Sequence, residues 1–367
     1  MDTSFSLVSN LKASSGKRGV KLTKFIIPLF FSGAISLIVS TFSFSAFAKG
    51  KLTLYCSVEI DVCEMLVQAF EKETGIDVAM TRKSSGETFA QIKAEASNPK
   101  GDVWYGGTGY PHLTASQEGL TMEYKSIYFD ELIPAAQQQA ATGNYRTTGL
   151  YVGALGYGYN ADLIASKGLP VPTSWEDLTN PAYKGEIQMA NPNSSGTAYT
   201  TLATILQIFG EEEGWEYMKK LHLNINQYTK SGSAPIKAAG RGENTIGICF
   251  QHDGVKQAVK GLPVTVVSPS EGTGYEVGSM SIIEGARNLD EAKQFFDWAL
   301  SADIQTLTFT SGTALQVPAN KNAQADPNAP DVSTIKLIDY DFATYGNKDK
   351  RAELLSKWDN EVSVIPR

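Results

Sequence analysis

Three ionisable residues suggest chemistry: the pair His252-Asp253, directly after the β-rich stretch 245–250, and Glu276 farther along the chain. An imidazole and two carboxyl groups accept and donate hydrogen bonds in fixed directions, which suits a small solute carrying several hydroxyls. Beside them are stretches rich in Ser, Thr and Gly: Ser84-Ser85-Gly86, Gly107-Thr108-Gly109 and Ser194-Ser195-Gly196-Thr197, with Ser57 and Ser233 as further short hydroxyls. At helix starts and strand ends such stretches turn backbone N–H groups and hydroxyls toward whatever lies in front of them, an arrangement that favours anions. Taken alone, each also reads as an ordinary cap of its own helix.

Catalysis would need more. A hydrolase would use Ser84 or Ser194 as nucleophile with His252-Asp253 as base and orienter, but no G-x-S-x-G elbow is present, and an aspartate adjacent to the histidine is poorly placed to hold its ring from behind. With three histidines and no CxxC or Cys/His cluster, neither a structural nor a catalytic metal site has support, and nothing implies a cofactor. The expectation is a binding protein and not an enzyme. Bland alternatives stand beside the binding roles: His252 precedes Asp-Gly, a turn-forming pair, and Glu276 fits a hinge ion pair. His112 is either at the cleft or in a surface loop, His222 reads as structural, and Tyr151, Tyr157 and Tyr159 read as packing.

The elements that must position these residues alternate. Lys51–Cys56 is a strand, and 62–74 repeats apolar residues at helical spacing before stopping at Gly75. Then come a strand over 76–81, a helix over 87–96 and a strand over 102–105 that runs into Gly106–Gly109. A second α/β unit follows the Gly- and Tyr-rich stretch 150–160: strand 187–190, helices 197–209 and 215–221, strand 245–250. Extended segments 264–267 and 277–283, a helix over 290–301 and a last helix near 348–362 complete the chain. Such alternation predicts parallel sheets covered by helices, with ligand beyond the carboxyl ends of the strands.

The first 48 residues read as an export signal. Lys12, Lys17, Arg18, Lys21 and Lys24 face a single acid, Asp2, and an apolar run from Phe25 to Phe47 closes on Ala46-Phe47-Ala48. Cleavage near Ala48 removes five bases and one acid, taking the formal charge from −7 to −11. So acidic a chain has no field with which to hold nucleic acid or an anionic membrane. In an oxidising compartment Cys56 and Cys63, seven residues apart, are placed for a short bridge, though whether they pair is left open; Cys249, inside an apolar run, reads as a buried thiol.

Nearly all of the chain after the signal resembles the solute-binding proteins of ABC transporters, in the group that binds ferric iron, thiamine and phosphonates. The resemblance is carried in order by Leu52-Thr53-Leu54-Tyr55, Phe70-Glu71-Lys72-Glu73-Thr74-Gly75-Ile76, Gly101-Asp102-Val103-Trp104, Ser174-Trp175-Glu176-Asp177-Leu178, Pro192–Thr197 and Ser231–Pro235. It implies a periplasmic, monomeric receptor of the type II periplasmic-binding-protein fold: two α/β lobes, joined by two crossing hinge segments near 150–160 and 275–282, holding a small anionic solute for an inner-membrane permease. On that pattern residues 49–152 and 277–367 form the first lobe and 153–276 the second. Ferric members carry adjacent tyrosines where this chain has Gln251-His252, so bare iron is not expected. His252-Asp253 with Glu276 is instead similar to the hexose-phosphate-binding branch, which implies ligand contacts from Ser57, Ser84–Gly86, Gly107–Gly109, Ser194–Thr197, Ser233, His252, Asp253 and Glu276. Because carboxylates repel phosphate, the sugar and phosphate ends are expected to face different lobes. An iron chelate, thiamine or its phosphate, and an aminophosphonate remain the alternative ligands within the same fold.

Overall fold

The computed structural model describes residues 50–367; the stretch read as an export signal lies outside the described residues. The chain opens with strand β1 (Lys51–Cys56), helix α1 (Ile60–Thr74), β2 (Asp77–Arg82), α2 (Ser85–Ala94), β3 (Val103–Thr108), α3 (Gly109–Gln117) and α4 (Pro134–Thr142). Helix α1 buries Val62, Cys63, Leu66 and Phe70 along one face and ends at Gly75, whose φ of 74° lets its N–H return to the Glu71 carbonyl. Helix α2 starts in a capping box between Ser84 and Glu87. The glycines 106 and 107, expected as a turn after a short strand, instead prolong β3, and Thr108 leads straight into α3.

Strand β4 (Thr148–Asn160) and helix α5 (Ala161–Lys167) lead to β5 (Ile187–Ala190), α6 (Gly196–Phe209), α7 (Glu211–Asn224), β6 (Ile225–Thr229), α8 (Ala234–Gly240), β7 (Ile246–Phe250), α9 (Gln251–Val259) and β8 (Val264–Val267). The return runs through β9 (Tyr275–Ile282), α10 (Leu289–Leu300), α11 (Ala302–Thr310), β10 (Val317–Pro318), α12 (Phe342–Tyr345) and α13 (Lys348–Lys357).

The strand order is β2-β1-β3-β9-β4-β7-β5-β6, with β8 and β10 also on β4. Strands β1, β2 and β3 are parallel neighbours, as are β5, β6 and β7. The strand β4 is shared: residues 148–154 pair antiparallel with β9, whereas 155–159 pair antiparallel with β7. Two long antiparallel strands therefore run where the two crossings were expected, and the change of partner falls between Ala154 and Leu155.

Each half has its own core. Leu54, Leu66, Phe70, Val103, Met280, Phe295 and Phe296 centre the first. Trp175, Ile187, Tyr199, Leu202, Trp215, Leu221 and Ile248 centre the second. The C-terminal residues, grouped with the first lobe on the sequence, contribute Tyr340, Leu354, Trp358 and Val362 to the second core. An amphipathic helix shows which face it must bury and not what it meets.

Cys56 and Cys63 are bridged, and Cys249 is a buried free thiol. Among the described residues no helix is long and apolar enough to cross a membrane, and no group of His, Cys, Asp and Glu is arranged for a metal ion.

Candidate functional site

The carboxyl ends of β1, β2, β3, β5 and β7 converge on one cavity, which spans about 460 Å³ between its lining atoms, mouth included. Of the residues expected there, Ser57, Ser84, Ser85, Gly107, Thr108, Ser195, Gly196, Thr197, Ser233, His252, Asp253 and Glu276 line it. Gly86, Gly109 and Ser194 do not. The Gly86 N–H donates to the Ser194 carbonyl at 3.0 Å, so these two join the halves behind the cavity wall. The Ser194 hydroxyl donates to the carbonyls of Asn191 and Lys230. Gly109 opens α3 and its carbonyl accepts from Gln139.

The hydroxyl side of the cavity is built from two helix starts brought nose to nose. Ser85 opens α2 and Gly196 opens α6, and the Gly196 N–H donates to Ser85 Oγ at 3.2 Å. A Cβ on Gly196 would fall 1.8 Å from Thr108 Oγ1, so only glycine permits this approach. Ser195 caps α6 by accepting from the Ala198 N–H. The Ser57 hydroxyl is held by Thr88 Oγ1 at 3.0 Å and the Trp104 indole N–H at 2.9 Å. These groups come from both halves, so the hydroxyl-rich wall is itself an interlobe surface.

Sequence reasoning missed Val58, Glu59, Arg82, Tyr151, Phe250, Ser231, Gly232 and Gln316, all of which line the cavity. Arg82 brings a fixed positive charge. Its Nε donates to the Val58 carbonyl at 2.8 Å and its Nη2 to Ser231 Oγ at 3.4 Å. The one available signal was its place at the end of β2, two residues before Ser84. Tyr151, taken for packing, reaches the cavity with its hydroxyl accepting the Gly107 N–H at 3.0 Å. Tyr157 does pack, its hydroxyl on the Ser174 carbonyl.

The acid and imidazole side is buried. His252 and Asp253 sit in the first turn of α9, so the Asp-Gly pair does not form the turn that local propensity favours. The His252 ring stacks on Phe250 with centroids 5.5 Å apart, its Nε2 lies 3.8 Å from Asp253 Oδ1, and its Nδ1 has no hydrogen-bond partner among the described residues. Burial drives the His252 pKa down to about 3, which keeps the ring neutral. Burial, then the charge of Glu59, pushes Asp253 up; burial, then Asp253, pushes Glu276 up. No salt-bridge partner for Glu276 is found among the described residues, so it is not a hinge ion pair there. An orphan nitrogen on a neutral, fully packed imidazole costs stability unless a guest meets it.

The other histidines lie elsewhere. His112 is buried against Trp104, centroids 3.5 Å apart, and bonds Ser281 Oγ and the Gly106 carbonyl. His222 bonds the Tyr228 hydroxyl and the Ile365 carbonyl.

Residues 109–344 match the family model of bacterial extracellular solute-binding proteins. The chain belongs to that family. Its fold is that of the type II periplasmic binding proteins. The periplasmic binding protein AfuA from Actinobacillus pleuropneumoniae, solved with exogenous fructose-6-phosphate bound, superimposes with a TM-score of 0.84 at 45% identity, over 87% of this chain and 100% of that one. A Haemophilus influenzae protein is 44% identical over 90% of this chain and 98% of its own length. A probable ABC transporter periplasmic-binding protein of Sinorhizobium fredii, y4fP, is 27% identical over 90% of this chain and 92% of its own. The family is one of solute binding for transport, as the resemblance in the sequence implied.

Proposed function

We propose that this chain is the periplasmic receptor of an ABC importer and that its cavity holds a hexose phosphate. The observation that carries the reading is the set of buried His252, Asp253 and Glu276 on one side of a cavity whose other wall carries Arg82, the Lys237-paired Glu59 and a ring of hydroxyls. Sugar hydroxyls satisfy the imidazole and the two carboxyls, whose pKa values burial raises above the ordinary carboxylate range. The phosphate is served by Arg82, the Ser, Thr and Gly residues at the starts of α2 and α6, and their helix dipoles. The 45% identity to a protein solved with fructose-6-phosphate supports the same ligand class here.

On this reading the signal is cleaved near Ala48, the mature chain works as a monomer, and its partner is a permease in the inner membrane. Against the hydrolase alternative, Ser194 lies outside the cavity with its Oγ given to two backbone carbonyls, and Ser84 sits at the cap of α2.

Calorimetry on the purified mature chain with glucose 6-phosphate and fructose 6-phosphate tests the proposal. Saturable heat with unchanged ligand on recovery supports it; no heat up to millimolar ligand rejects it, and released inorganic phosphate would make the protein a hydrolase.

A further inference from the structure

The disulfide Cys56–Cys63 closes a loop of six residues, Ser57 to Val62, made of the β1–α1 connection and the first three residues of α1. That short loop reaches across to the second lobe repeatedly. Glu59 Oε1 accepts from Ser233 Oγ, and Glu59 Oε2 pairs with Lys237 Nζ on α8. Asp61 Oδ2 accepts from Lys256 Nζ on α9 at 2.7 Å, and the same ammonium donates to the Thr313 carbonyl at 2.5 Å, beside the first core. The Val58 carbonyl holds Arg82, whose other end touches Ser231. Lys256 is therefore a second-lobe cation with its head seated in the first lobe, and its side chain is only 6% exposed.

We infer that the disulfide-closed loop is an interlobe clamp: Glu59 with Lys237, and Asp61 with Lys256, bias the two lobes toward closure whatever the solute is. The two pairs link opposite lobes and are made only when the lobes meet, so they contribute to the closed state and not to either lobe alone. Glu59 sits between two cations, and although burial alone would raise its pKa, Lys237 brings it below the ordinary range, so it stays charged for the pair. The bridge restricts the loop before the lobes meet, which reduces the ordering entropy that closure would otherwise cost. Losing the bridge frees the residues that carry every one of these contacts without removing a single cavity side chain.

The test uses the mature chain without added solute, so it is independent of the sugar-phosphate reading. Small-angle scattering measures the radius of gyration of the wild type, Lys256→Gln, Asp61→Asn, the exchanged pair Asp61→Lys with Lys256→Asp, and Cys56→Ser with Cys63→Ser. The expected result is a larger radius for each single charge variant and for the double serine variant, and a return toward the wild-type value in the exchanged pair, with near-wild-type circular dichroism throughout. Scattering curves of the charge variants that superimpose on the wild type overturn the inference, and so does an expansion in the single variants that the exchanged pair fails to reverse. If the double serine variant fails to fold, the charge variants still decide. A clamp that passes while no sugar phosphate binds would reject the proposed ligand and leave the inference standing.

Discussion

A Cβ placed on Gly153 would lie 2.7 Å from Nδ1 of His252 and 3.4 Å from Oε1 of Glu276. The missing side chain at 153 thus makes the room that the His252 ring occupies, with its Nδ1 packed against the middle of β4 beside the Glu276 carboxyl, and any side chain there would push the ring away. Gly153→Ala is expected to displace the ring and weaken sugar-phosphate binding, while His252→Ala, which leaves a buried hydroxyl partner unpaired, should cost about 1–3 kcal/mol, roughly 5- to 150-fold in Kd. Isothermal titration of both variants checks this. An unchanged Kd in His252→Ala would remove the imidazole from the site.

Arg82 is the one guanidinium lining the cavity among the described residues. Arg82→Gln is expected to weaken a phosphorylated ligand by about 1.5–3 kcal/mol, the range for a charge-assisted hydrogen bond. Competition by inorganic phosphate should fall in parallel, since both act through the same charge. If Arg82→Gln leaves phosphate competition intact, the anion is held elsewhere.

How much of this was legible in the sequence depends on how local each signal is. The strand Ile187–Ala190 has the bounds its apolar run predicts, and the two crossings are found on β4 and β9, because turn residues and apolar runs are written into adjacent positions. The hydroxyls at 84, 85, 195 and 197 were legible for the same reason, as helix starts are local. Gln316 and Tyr151 were not: one reaches the cavity from the segment after α11, the other from mid-strand, and neither has neighbours that mark it as functional. The pair at 252 and 253 was found by type, but its placement inside a helix was not, since packing of Gly254 against Val266 overrides the local preference for a turn.

Glu276 makes stability depend on pH in a definite direction. Its folded pKa lies well above its ordinary 4.5 because of burial and Asp253, so the folded chain binds more protons than the unfolded one in that window. The stability associated with the protonated group is fully present below about pH 4.5 and is lost as pH rises toward the folded value. Glu276→Gln is isosteric and cannot ionise; it should therefore raise the melting temperature more at pH 8 than at pH 5. Thermal unfolding at the two pH values measures this, and an equal shift at both would mean that Glu276 ionises freely in the fold.

Ferric iron should leave the protein colourless. A visible band needs phenolate on the metal, and in place of adjacent tyrosines the chain presents Gln251, whose amide donates to the Leu155 carbonyl at 2.9 Å, and the neutral ring of His252. Tyr151 is the one tyrosine lining the cavity among the described residues; its hydroxyl accepts the Gly107 N–H, and burial, then the Glu276 charge, pushes its pKa up, so phenolate is disfavoured. Titration of the mature chain with ferric citrate, followed by visible absorption, is expected to give no tyrosinate-to-iron band. Appearance of such a band, and its loss in Tyr151→Phe, would show that the cavity accepts metal after all and would move the ligand assignment from sugar phosphate to iron.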